Sequence, residues 1–139
     1  MAEQASPPSV HKVIFDVDVL VWYLRGYEKA RRFTENVAHH QRVLSSLTFV
    51  ELLQGSRNQQ EAHEVKAFIA ENISLVIHPD EIICRRAIAL FEQYALSRGL
   101  RVVDAIIAAS ASETASSLAT ANVKHCRVIA QLKLVQFRP

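Results

Sequence analysis

Short apolar runs rich in β-branched residues alternate along this chain with longer stretches in which apolar positions recur at helical spacing. "KVIFDV" predicts a buried strand. "VLVWYLRG" then predicts a helix ended by Gly26, with Asp18 at its N-cap. "RVLSSLT" predicts a second strand, which leads into a helix at "FVELLQG". In "EAHEVKAFIAEN", Ala62, Val65, Phe68 and Ile69 share one helical face, and "SLVIH" follows as a strand before Pro79. After Asp80 the pattern is clearest: Ile83, Ala87, Leu90, Phe91 and Tyr94 recur on one side, with Arg85, Arg86, Glu92 and Gln93 opposite. "DAIIAASASETA" predicts a helix starting at Asp104, "SLAT" a short strand, and "LVQF" a last strand before Pro139. Parallel strands need crossovers, usually helices, so this alternation predicts an α/β fold with a parallel sheet covered on both faces.

Composition narrows the reading. At 139 residues, half of them hydrophobic and only three glycine, the chain has the size and apolar content of one ordered domain. The opening "MAEQASPPSV" lacks the basic start and apolar run of a secretory signal, so residues 1–10 are expected to be a disordered segment and residues 11–139 the domain. No apolar segment reaches the ~18 residues of a membrane span, so a soluble, cytoplasmic protein is expected. Cys84 and Cys126 lack the close spacing of a zinc or redox pair and are expected to be free or buried thiols. A formal charge of +2 neither requires nor excludes a polyanionic partner.

In parallel sheets, ligands bind beyond the carboxyl ends of the strands. Asp16 ends the first strand, Glu51 lies about one helical turn beyond the second, and Asp104 begins a late helix, so all three carboxylates can meet at one sheet edge. Without a cation they would repel and raise one another's pKa. Hard oxygen donors suit Mg²⁺ or Mn²⁺, which bind through a few carboxylates plus substrate phosphate. Plainer roles stand beside this one. Asp104 and Asp18 could each cap a helix, and Glu51 could close a capping box with Thr48. Asp16 has few structural uses at the end of a buried strand.

The motifs "VIFDVDVLVWYL", "SSLTFVELLQG" and "GLRVVDAIIAASA" followed by "SLATANVKHC" stand in the order and at the intervals of a PIN domain, and the chain most resembles the VapC toxins of toxin–antitoxin pairs. The likeness covers nearly all of the chain after Val10. It implies a PIN-like sandwich around a parallel sheet, a Mg²⁺ or Mn²⁺ site, endonucleolytic cleavage of RNA, a cognate antitoxin partner and a homodimer. By position, Asp16, Glu51 and Asp104 match the three acids of the family. Asp18 falls where a small polar residue is usual, Thr48 matches a Ser/Thr before the middle acid, and Thr120 and Asn122 match the polar pair after the fourth strand. Many PIN domains carry a fourth acid near Asn122 or His125. Here an amide and an imidazole stand instead, which weakens the case for a second metal.

The D-x-D of Asp16 and Asp18 also suggests a haloacid dehalogenase-like phosphatase or a receiver domain. The phosphatase also needs a later lysine and a closely spaced acidic pair, and Asp104 stands alone; the receiver needs a lysine after its last strand, where this chain ends without one. The alternative from another class is a PIN fold with an incomplete, non-catalytic site that binds RNA or protein. Arg25, Arg57, Arg98, Arg101 and Lys124 are the candidates for holding an RNA backbone. The apolar "VLVWYL" and "FVELL" segments are the candidates for antitoxin contact.

Overall fold

The computed structural model describes residues 11–139, so the disordered opening expected at residues 1–10 lies outside the described residues. Five short strands form one sheet: β1 (Val13–Phe15), β2 (Arg42–Ser45), β3 (Leu75–Ile77), β4 (Ser117–Thr120) and β5 (Leu134–Gln136). Their order is β3-β2-β1-β4-β5 and every pairing is parallel. Helices α1 (Val17–Leu24), α2 (Glu28–Glu35), α3 (Ser46–Gln54), α4 (Gln59–Asn72), α5 (Glu81–Arg98) and α6 (Val102–Glu113) make the crossovers. No helix among the described residues is long and apolar enough to cross a membrane.

The side-chain alternation of strands divides the core into two layers. Ile14, Val43 and Leu118 face Ile83 and Ala87 of α5 and Ala105 and Ala108 of α6. Val13, Phe15, Leu44 and Ala119 face the other way, onto Val19 and Leu20 of α1, Leu52 of α3 and Val65 and Phe68 of α4. Burial of the central strands β1, β2 and β4 on both faces explains why the middle of the sheet reads as apolar runs rather than alternating ones.

Local boundaries differ from expectation in ways that matter for the site. β2 stops at Ser45, because the Ser45 hydroxyl accepts the Leu47 N–H (3.2 Å) and caps α3. Thr48 therefore sits inside the helix and forms no capping box with Glu51. Asp16, not Asp18, is the N-cap of α1, its carboxylate accepting the Val17 N–H at 2.8 Å. α6 starts at Val102, so Asp104 lies within its first turn and accepts the N–H of Arg101 (3.3 Å) instead of occupying the cap. Helix α2, unforeseen in the sequence pattern, buries only Ala30 and Thr34 fully, and its exposed side is laced by Arg31 with Glu28 and Glu35. Alternating charges masked its period.

Candidate active site

The strand order reverses beside β1: the chain runs outward through β2 and β3, then returns to place β4 on the other side of β1. A crevice opens at such a switch point, beyond the carboxyl ends of the two central strands. Here it is a cleft of about 460 Å³ lined by Asp16, Val17, Asp18, Glu51, Arg101, Val102, Val103, Asp104 and Asn122. Asp16 and Asp18 arrive from the β1–α1 junction, Glu51 from the second turn of α3, Asp104 from the first turn of α6, and Asn122 from just beyond β4. All three acids singled out in the sequence thus line one cleft.

Thr120 organises its floor. At the buried end of β4, its hydroxyl lies 3.0 Å from Asp16 Oδ2 and 3.3 Å from Asp18 Oδ2, and accepts the Asn122 N–H at 3.1 Å. One hydroxyl hydrogen serves one carboxylate at a time. Asp18 is also held by the N–H groups of Val19 (2.7 Å) and Ala121 (3.1 Å). Asp16 has fewer partners, the Val17 N–H and the Thr120 hydroxyl. Burial, then the charge of Asp18, pushes its carboxyl up to about 6, although the bonds from Val17 and Thr120 pull the other way. Asp18 is raised as well, chiefly by burial.

Glu51 is raised too. Burial is the main cause, the Arg101 charge opposes it and the Asp104 charge adds to it. Its Oε1 is buried with no hydrogen-bond partner, as is the Thr48 hydroxyl. An unpartnered carboxylate oxygen at this depth is costly. Across the cleft, Asp104, with its side chain only 12% exposed, is held through Oδ2 by Arg101 Nε at 3.2 Å. Arg101 is the one basic residue among the cleft's lining.

This set of hard oxygen donors fits a hard divalent cation, which would relieve the repulsion at Asp16 and give Glu51 Oε1 a partner. Yet among the described residues no three acid, His or Cys side chains converge closely enough to hold one ion together. Three of the four carboxylates are turned to local partners, Asp16 and Asp18 to Thr120 and Asp104 to Arg101, and only Glu51 is left with a buried oxygen free of one.

Other sequence candidates lie elsewhere. His125 sits near Gly99 in the turn after α5, about 4.0 Å from where a Gly99 Cβ would stand, and its Nδ1 is buried without a partner. It is not among the lining residues of the cleft, whereas Asn122 is. Arg25 and Arg57 line a second groove of about 620 Å³ between α1, α3 and α4, which shares Glu51 with the cleft. Arg57 is paired with Glu61 at 2.7 Å, and Arg25 lies over the Trp22 ring. Arg98 and Lys124 are exposed but line neither depression. Most of "VLVWYL" and "FVELL" packs into or against the core, leaving Val50 and Leu24 as the largely exposed apolar side chains of α3 and α1. Cys126 is buried, and burial raises its thiol to about 12, which makes it inert, while Cys84 is free on the surface of α5. Sequence reasoning missed the role of Ser45 as a cap and the grip of Arg101 on Asp104. The i, i+3 spacing of Arg101 and Asp104 at a helix start was the available signal for the second.

A family model described as the PIN domain matches residues 13–130. No curated protein sequence matches the chain significantly. Among solved structures, a chain of a toxin–antitoxin complex from Klebsiella pneumoniae superposes with a TM-score of 0.77 at 23% identity, covering 91% of this chain and 98% of that one. A chain of VapBC-1 from nontypeable Haemophilus influenzae is similar at 24% identity and TM-score 0.71, over 90% of this chain and 97% of that one. A chain of VapBC2 from Rickettsia felis, solved bound to a DNA fragment from its promoter, gives 18% identity and TM-score 0.71, over 91% and 98% respectively.

Proposed function

This chain belongs to the PIN domain family, whose usual activity is that of a nuclease, and from that premise we propose that it is the toxin of a toxin–antitoxin pair, a Mg²⁺- or Mn²⁺-dependent endoribonuclease. The observation that carries the reading is the convergence of Asp16, Asp18, Glu51 and Asp104 on one cleft at the switch point of the sheet. So many carboxylates in a partly buried cleft destabilise the chain, and their gathering is explained by a function that needs their charge. PIN-domain nucleases generally need a divalent metal.

In this reading Asp16, Glu51 and Asp104 hold the ion, and Asp18 and Asn122 support it. When bound, a divalent ion supplies Lewis-acid activation of water and charge compensation at the phosphate. The chain's own residues do the rest. Thr120 fixes the carboxylates of Asp16 and Asp18 from below, and the N–H groups of Val17, Val19 and Ala121 hold their orientation. Val102 and Val103 form an apolar wall beside Asp104. Arg25 and Arg57, in the adjoining groove, lie where an extended backbone leaving the cleft would pass, and phosphate contacts of this kind position without specifying sequence.

The antitoxin partner is supported by the likeness to chains from toxin–antitoxin complexes, by Leu24, exposed at the second groove, and by exposed Val50 on α3. A homodimer and a cytoplasmic location complete the proposal. Induced expression of the wild-type chain and of Asp16→Asn, followed by growth measurement and sequencing of cellular RNA ends, tests it. New RNA ends and growth arrest with the wild type alone are expected. Arrest without new ends, or equal effects of both chains, would refute the ribonuclease. RNA retained without cleavage would favour the alternative, a PIN fold that binds RNA or protein without cutting.

A further inference from the structure

Arg101 has a place in the cleft that a solvated arginine does not need. Its backbone N–H and its guanidinium Nε both reach the same oxygen of Asp104, Oδ2, at 3.3 and 3.2 Å. The side chain is nevertheless 70% exposed, so the rest of the guanidinium projects toward solvent at the cleft mouth. Its field also reaches Asp16 and Glu51, two acids at the opposite wall and floor. A single tethered cation therefore faces three carboxylates, and it engages the one that the ion-holding role assigns to α6.

We propose that Arg101 is a built-in counter-ion that competes with the divalent cation for Asp104 and, once displaced, becomes the side chain that grips the phosphate of the bound RNA. This rests on the ribonuclease reading above and adds to it a coupling between metal and substrate. Three features support it. The exposed guanidinium can swing free, because the backbone N–H bond to Asp104 holds the carboxylate in place without it. Arginine presents a planar fork suited to phosphate oxygens. And with Arg101 the only base lining the cleft, no other residue there can offset the phosphate's charge on that side. By linkage, a phosphate that draws Arg101 away from Asp104 strengthens metal binding, and the metal strengthens RNA binding by the same factor.

The test compares wild type, Arg101→Gln and Arg101→Lys, using Mn²⁺ alone in calorimetry and a fluorescent oligoribonucleotide in a cleavage assay at saturating Mn²⁺. Arg101→Gln should bind Mn²⁺ tighter by roughly ten-fold, the size Coulomb's law gives for a unit positive charge withdrawn from near a divalent ion at solvent-like dielectric. Its kcat/KM should fall by at least about ten-fold, the loss expected for one charge-assisted phosphate contact. Arg101→Lys, which keeps the charge but loses the fork, should bind Mn²⁺ like the wild type while recovering only part of the cleavage. Opposite movement of the two readouts is the signature. Unchanged or weaker Mn²⁺ binding by Arg101→Gln would overturn the competition, and unchanged cleavage would overturn the phosphate contact. Wild-type chain that binds no Mn²⁺ would instead sink the ribonuclease reading, and this one with it.

Discussion

Replacing Asp16 by asparagine should stabilise the metal-free protein while abolishing its cleavage of RNA. The carboxyl is pushed from the ordinary 3.8 up to about 6 by burial and by Asp18, so its ionised form is disfavoured in the fold. At about 1.4 kcal/mol per pH unit the gap corresponds to about 3 kcal/mol at neutral pH, and screening at the open cleft reduces this to about 1–2 kcal/mol. Asparagine keeps the acceptor that caps the Val17 N–H, at 2.8 Å in the wild type, and is itself a favoured N-cap. In chelator at about pH 7.5, Asp16→Asn should therefore melt roughly 3–6 °C higher than wild type. The sign follows from linkage. Well below pH 3.8 the residue is protonated in folded and unfolded chains alike, and the two proteins should differ little; between 3.8 and about 6 the unfolded chain has released a proton that the fold still keeps, so wild-type stability falls as the pH rises and the gap opens, reaching its full size above about 6. Thermal melts across that range measure it. A variant that melts lower than wild type, or by the same margin at acid and neutral pH, would show that Asp16 is an ordinary cap and not a strained carboxylate.

Mn²⁺ affinity should fall by about ten-fold per pH unit below about 6, where protons compete for Asp16; calorimetry giving a flat profile would contradict the raised carboxyl. Asn122→Asp should tighten Mn²⁺ binding by roughly ten-fold, since Asn122 lines the cleft, and identical titrations would place it outside the ion's reach. Gly99 ends α5 at φ +71°, a conformation that costs an alanine about 1 kcal/mol. The nearest atoms a Cβ would meet are those of His125 at 4.0 Å, so Gly99→Ala should cost only this strain, about 3 °C in melting temperature. Arg57→Glu, which removes one of the two arginines of a groove that also holds Glu51, Glu61 and Glu64, should weaken binding of single-stranded RNA at low salt and flatten its salt dependence; an unchanged salt slope would remove the groove from the RNA path.

The centre of the parallel sheet was legible because β1 and β2 are buried on both faces, so "VIF" and the "VL" of "RVLS" stand out against helical spacing, while the edge strands β3 and β5 are partly exposed. Asp16 and Glu51 were legible for a related reason, since each follows a strand whose carboxyl end parallel order carries to the same edge, whereas Asp104 reaches that edge from the first turn of α6, which follows α5 and not a strand. Boundaries were less so. Ser45 takes the cap from Thr48, and Asp16 takes it from Asp18, because several small polar residues stand in a row and only backbone geometry selects among them. Helix α2 carries a salt-bridged exterior with little apolar signal, so its period was hidden. His125 looked like a neighbour of Asn122 in sequence, but the turn after β4 sets it beside Gly99, and it does not line the cleft. The grip of Arg101 on Asp104 is a side-chain choice that spacing permits but does not dictate.

The claim that the four acids form a metal-dependent RNA-cutting site is tested most directly by the initial rate at which the purified chain cleaves an oligoribonucleotide in EDTA, and again after Mg²⁺ or Mn²⁺ is restored in excess, with Asp104→Asn alongside. Cleavage should be absent in chelator, return with either ion in the wild type, and stay absent in the variant although it remains folded. Cleavage that persists in EDTA, or that Asp104→Asn retains at the wild-type rate, would contradict the account.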